Sequence, residues 1–213
     1  MPEKNQDLHG NAPDRSLAAL VIIDMINDMD FPGAEEMMSA AVAAAERIAE
    51  LKRRARAAGI PVVYANDNFG RWRSDFREAV EHVLGGGVRG EPMARLLPPD
   101  EDDYFVLKPK HSAFFATTLE TLLEYLGASR LVLTGVSGDV CVLFTASDAY
   151  MRDFHLCIPE DCMASVSAEE NRRTLGYMRR VFGADTTPST ELDLEALARE
   201  DRRKEDGAGE DGA

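Results

Sequence analysis

Residues 17–24 read LAALVIID, an unbroken apolar run that ends in a carboxylate. A strand with one wet face alternates apolar and polar residues, whereas a strand covered on both faces of a parallel sheet reads as a continuous apolar run. Working outward, similar runs recur at 62–65 (VVYA), 104–107 (YFVL, followed by Lys108), 131–136 (LVLTGV) and 155–160 (HLCIPE), and ADTTP at 184–188 reads as a short sixth. Between them lie stretches of helical periodicity. One runs from about Glu35 to Ala58, with Val42, Ile48 and Leu51 among alanines and Gly59 as its stop; a shorter one runs from about Asp75 to Leu84. Others cover Thr117–Leu126, the apolar segment CVLFTASDAYMRDF at 141–154, and Ala168–Val181. GGGVRGEPMARLLPPDEDD at 85–103 reads as an irregular connection. Strands alternating with helices predict an α/β fold: a doubly wound, mainly parallel six-stranded sheet flanked by helices. Residues 17–198 are expected to form this single domain, between a flexible polar segment at 1–16 and a flexible, acidic, Gly-rich one at 199–213.

Composition bounds the function. A chain of 213 residues with 45% hydrophobic and 29% charged side chains can bury one ordinary core. No apolar run approaches the ~18 residues of a membrane span, so no membrane role is expected. The net charge of −14 opposes any nucleic-acid backbone. Cys141, Cys157 and Cys162 do not make a disulfide framework, and MPEKNQDLHGNAPDR has no apolar core of an export signal, so a reducing cytoplasm is the expected location. The expected partner is a small-molecule substrate.

In a doubly wound sheet, ligands bind beyond the carboxyl ends of the strands. Asp24 ends the first strand, Lys108 ends the third, and Cys141 follows the fourth at the start of a helix. A helix N-terminus and a nearby ammonium each lower a thiol pKa from its ordinary ~8.5, so Cys141 is expected to be a thiolate nucleophile. Asp24 can take the thiol proton and return it to a leaving amine, with Lys108 fixing the carboxylate. Lys110 competes with Lys108, since both lie on one face if the strand continues past Pro109. Backbone N–H groups of the TGVSGDVC turn can face a developing oxyanion. Phe31, Phe69, Trp72 and either Phe114 or Phe115 are candidate pocket walls. Asn66 and Asp67 either bind a polar substrate or form an Asx turn. Arg71 and Arg73 are candidates for a substrate carboxylate, Cys157 and Cys162 are assigned to packing, and Asp139 to capping the next helix.

Three blocks, LVIIDMINDMDF around Asp24, VLKPKHSAFFATTLETLL around Lys108 and LVLTGVSGDVCVLFTASDAYMRDF around Cys141, followed by IPEDCMAS, together resemble the isochorismatase-like cysteine hydrolases. That family includes nicotinamidases, N-carbamoylsarcosine amidases, ureidoacrylate and biuret hydrolases, and isochorismatases. The resemblance implies a catalytic Asp24, Lys108 and Cys141, and prefers Lys108 to Lys110 by its spacing from the Ser-Ala-Phe segment. It further implies a cis peptide between Val136 and Ser137, an oxyanion hole from the Ser137 and Cys141 N–H groups, and a homodimer or homotetramer. Metal-dependent nicotinamidases carry Asp-x-His after the second strand; here that segment is Asn66-Asp67-Asn68, and His9, His82, His111 and His155 do not restore it. No metal or other cofactor is therefore expected, and nicotinamide is disfavoured as substrate. Retention of Cys141 favours hydrolysis of a small amide, ureide or carbamoyl C–N bond through a thioester. Vinyl ether hydrolysis with Asp24 as acid, or a non-catalytic, redox-responsive binding role on the same scaffold, are the alternatives.

Overall fold

The run at 17–24 forms β1 (Ala18–Ile23), all six residues of which are buried. In the computed structural model, which describes residues 12, 14–70 and 75–199, β1 is the middle strand of a five-stranded sheet. β2 (Val62–Asp67) and then β3 (Tyr104–Lys108) lie on one side of it, β4 (Arg130–Gly135) and then β5 (His155–Cys157) on the other. Every pairing is parallel. The chain winds outward from β1 to β3 and then returns to β4 beside β1, so the winding reverses at the centre of the sheet.

Because strand side chains alternate, β1 feeds two cores. Leu20 and Ile22 pack with α1 (Ala34–Ala57), α2 (Phe76–Gly85) and α3 (Glu91–Leu96), while Ala19, Val21 and Ile23 pack with α4 (Leu119–Leu126), α5 (Leu143–Tyr150) and α6 (Ala168–Phe182). A last short helix, α7 (Leu194–Ala198), closes the first core with Leu194. The result is three layers, helices on both faces of a parallel sheet.

Two expectations are corrected. The sixth strand is reduced to a single bridge: Asp185 pairs only with Cys157, its N–H donating to the Leu156 carbonyl and its own carbonyl accepting from Ile158. Asp185 Oδ1 then accepts from the Thr187 N–H and Pro188 follows, so the chain turns instead of extending the ladder. Within the connection at 85–103, residues 91–96 make a two-turn helix, with Pro near its start and Met93 and Ala94 in the core.

The close fit of β4 against β1 depends on Gly135. Its φ of +118° lies where side chains are disfavoured, and a Cβ there would sit 2.0 Å from the Ile23 carbonyl oxygen. Ile23 precedes Asp24, and Gly135 precedes the turn that carries Cys141, so this contact sets the spacing of the segments that carry those two residues.

Candidate active site

Asp24 leaves β1 with φ +52°, a left-handed conformation that Asp tolerates better than most residues. Its carboxylate is buried. Asp24 Oδ1 accepts the Asp67 N–H from the end of β2 at 2.7 Å, and Oδ2 lies 2.7 Å from Lys108 Nζ. Lys108, paired with Asp67 at the end of β3, is fully buried. Its ammonium also donates to the Lys110 carbonyl at 3.2 Å and lies 3.6 Å from Cys141 Sγ. Lys110 itself is exposed and contributes that carbonyl to the site. Asp24, Lys108 and Cys141 therefore meet in one crevice at the carboxyl edge of the sheet, beside the point where the winding reverses.

Cys141 sits in a single wide helical turn, Gly138–Val142, which leads directly into α5. The Val140 and Val142 N–H groups donate to the Ser137 carbonyl, the Val136–Ser137 peptide bond is cis, and the Ser137 hydroxyl bonds the Asp139 carboxylate. Asp139 thus engages Ser137, while α5 carries no side-chain cap at its start. Thr145, wholly buried in the first turn of α5, donates to the Cys141 carbonyl at 2.8 Å and accepts the Ala113 N–H at 3.0 Å. One hydroxyl thereby ties the cysteine turn to the loop that follows Lys108.

The electrostatics overturn the expectation of a resting thiolate. Burial first, and the charge of Asp24 second, push the Cys141 thiol up to about 12; the Lys108 ammonium pulls the other way and is outweighed. Burial also raises the Asp24 carboxyl above its usual range, against the charge of Lys108 and the hydrogen bonds from Lys108, Cys141 and Asp67. For Lys108, burial opposes the charge, but Asp24, Cys141 and Asp67 together hold its pKa above the ordinary lysine value. The sulfur is thus a neutral thiol beside a carboxylate made more basic by its surroundings.

The remaining expected positions divide. Asn66 is fully buried, and its amide holds the loop after β1, accepting from Ile26 N–H at 3.3 Å and donating to Ile26 O at 2.6 Å. It braces the loop beside Asp24 from a position closed to solvent. Asp67 forms the Asx turn, accepting the Phe69 N–H at 2.6 Å. Phe69 is exposed and lines, with Asp67 and His82, a small cleft between β2 and α2. Phe31 and Phe115 are also exposed on loops at the carboxyl edge, whereas Phe114 is buried against Phe154. Trp72, Arg71 and Arg73 lie outside the described residues. Cys157 and Cys162 are buried and unpaired in the core. Among the described residues, no three His, Cys, Asp or Glu side chains converge as metal ligands; His82 instead pairs with Asp28 at 2.9 Å.

Sequence reasoning weighed His111 only as a metal ligand, yet its Nδ1 lies 3.8 Å from Cys141 Sγ. The available signal was its place three residues beyond Lys108, on a loop that had to pass the cysteine.

Comparison with known proteins agrees with this architecture. The isochorismatase domain model matches residues 18–190. An uncharacterized isochorismatase family protein of Bacillus subtilis, YaaI, is 38% identical over 82% of this chain and 95% of its own length. The isochorismatase of Bacillus subtilis is 31% identical over 78% of this chain and 54% of its own. Among solved structures, N-carbamoylsarcosine amidase from Thermoplasma acidophilum superposes with a TM-score of 0.63 at 28% identity, covering 83% of this chain and 98% of the amidase.

Proposed function

The chain belongs to the isochorismatase family of hydrolases, and from that premise we propose that it cleaves a small amide, ureide or carbamoyl C–N bond through a thioester on Cys141. The observation that carries the reading is the contact of the Cys141 thiol, at 3.6 Å, with an ammonium that holds Asp24 at 2.7 Å. Asp24 takes the thiol proton as Sγ attacks the carbonyl carbon. Lys108 keeps its charge throughout and stabilises the sulfur while it is anionic. The Ser137 and Cys141 N–H groups receive the oxyanion. The C–N bond then breaks, the amine leaves with the proton from Asp24, and water cleaves the thioester.

A neutral thiol suits this route. The nucleophile forms only as its proton moves to a raised carboxylate, so charge separation in the buried crevice is confined to the reacting complex. The exposed rings of Phe31 and Phe69 support an apolar rim around that crevice, with Trp72, three positions after Phe69 in the sequence, a further candidate. The likeness to an N-carbamoylsarcosine amidase supports carbamoyl chemistry. The exposed aromatic face formed by Phe144 and Tyr177, beside Phe182, supports self-association as a dimer or tetramer. Free thiols throughout suit a reducing compartment such as the cytoplasm.

The test is mass spectrometry of the protein with a panel of carbamoyl compounds, alongside Cys141→Ala. The expected result is a covalent acyl adduct at Cys141 and loss of turnover in the variant; amide turnover by Cys141→Ala overturns the reading. A second reading is favoured by the raised Asp24 carboxyl and the likeness to an isochorismatase: protonation of a vinyl ether by Asp24 with the thiol as bystander. Isochorismate turnover that survives Cys141→Ala supports it.

A further inference from the structure

Deeply buried partners surround the sulfur on one side and an exposed imidazole on the other. Asp24 is shut off from solvent, its Oδ1 occupied by the Asp67 N–H and its Oδ2 by Lys108. Once an acyl group sits on Sγ, Asp24 and Lys108 remain buried, and water comes to the partly exposed Cys141 from the side open to solvent. His111 stands there. Its ring is exposed, and Nδ1 points at Sγ from 3.8 Å.

The position of this ring is built, since its neighbours in the chain are pinned on both sides. Before it, the Lys110 carbonyl accepts from Lys108 Nζ at 3.2 Å. After it, the Ser112 hydroxyl bonds Asp148 at 2.5 Å and the Ala113 N–H bonds Thr145 at 3.0 Å. The ring itself rests against Phe144, with centroids 5.6 Å apart. A flexible surface histidine would have none of these restraints.

We propose that His111 is the base for the second half of the reaction, activating the water that hydrolyses the Cys141 thioester. The inference rests on the thioester reading above and divides its labour: Asp24 serves acylation, His111 deacylation. With its proton on Nε2, the imidazole presents a free lone pair at Nδ1. As the water oxygen bonds to the acyl carbon, one water proton passes to Nδ1. The C–Sγ bond then breaks, the acid departs, and the sulfur leaves as a thiolate beside Lys108. That thiolate takes the proton from Nδ1 across the 3.8 Å contact, which restores a neutral thiol, an ionised Asp24 and a neutral imidazole.

The test uses p-nitrophenyl acetate, whose leaving group needs no proton, with wild type, His111→Phe and His111→Gln. Enzyme in excess gives the acylation rate from p-nitrophenolate release, and substrate in excess gives steady-state turnover. Both variants are expected to acylate within about threefold of wild type, to turn over about 100-fold more slowly, as for a lost general base, and to accumulate acetyl-Cys141 by intact mass. Added hydroxylamine, which attacks thioesters without a base, is expected to restore turnover in the variants. If acylation and turnover fall together, or neither falls, the assignment of His111 is wrong while the thioester route stands. If no cysteine adduct forms in any of the three proteins, the thioester route fails and the assignment goes with it.

Discussion

Asp24 and Cys141 share a proton under opposing pressures, because burial raises both groups and a single ammonium lowers both. Two outcomes follow at the scale of single residues. With the thiol at about 12, alkylation of Cys141 by iodoacetamide at pH 8 is expected to be far slower than that of a free cysteine, accelerating with pH well past 9. Peptide mapping of the labelled protein across pH 7–11 measures this, and a rate that levels off near neutrality contradicts it. Replacing Lys108 by Met leaves the buried Asp24 carboxylate without its counter-charge, a loss of about 3–5 kcal/mol at neutral pH. A carboxyl whose pKa is raised in the folded state stabilises the fold below its unfolded value and loses that contribution as pH rises through the folded one. Lys108→Met is therefore expected to be less damaging at pH 5 than at pH 8, by urea denaturation. These protonation states were the least legible part of the sequence. Asp24, Lys108 and Cys141 could be placed at strand ends from the apolar runs beside them, but the helix start and the ammonium near Cys141 argue for a thiolate until burial is known, and burial is a property of the folded crevice.

At the scale of elements, strand edges and turns set the distances. Gly135 lets β4 approach β1 so closely that an added Cβ would overlap the Ile23 carbonyl at 2.0 Å. Gly135→Ala is expected to cost about 1–3 kcal/mol from strained backbone alone, with more from the overlap, and to lower kcat rather than raise KM. The check is thermal unfolding together with steady-state kinetics; a variant with wild-type stability and kcat would show that this spacing is not needed. Most elements could be read in advance because they obey one rule each. The strands are continuous apolar runs, and α4 places Leu119, Leu123 and Leu126 on one face. α3 escaped because the glycines before it and the two prolines after it read as loop punctuation, while a two-turn helix needs only Met93 and Ala94 to anchor it. The sixth strand failed for the converse reason: ADTTP has the composition of a strand end, but Asp185 closes a turn with its own side chain. Asn66 was legible as a turn former, though its role as a brace for Ile26, 40 residues earlier, belongs to the packed structure.

Over the whole molecule, the buried thiols add to the response to alkali, alongside Tyr64, Tyr104 and Lys108, which are shifted the same way. Burial is the leading cause that raises Cys141 and Cys157, each to about 12, and it raises Cys162 in the same direction. An unfolded chain exposes all three near ~8.5. Between that value and 12 the folded protein binds more protons than the unfolded one, so stability is present below pH 8 and is lost as pH climbs. Denaturation midpoints in urea are expected to fall steadily from pH 8.5 to 11, and to fall less in Cys157→Ala than in wild type; an alkaline profile identical in the two proteins would count against it. Another property of the whole arises where β2 meets the crevice. Asp67 supports the Asp24 carboxylate through its main-chain N–H, while its own carboxylate lies 3.8 Å from the Lys108 ammonium at the edge of the cleft by α2. Every amino acid except proline carries that N–H. A substitution at position 67 other than proline therefore surrenders a distant counter-charge of Lys108 and an Asx turn, yet leaves the peptide backbone steadying the Asp24 carboxylate.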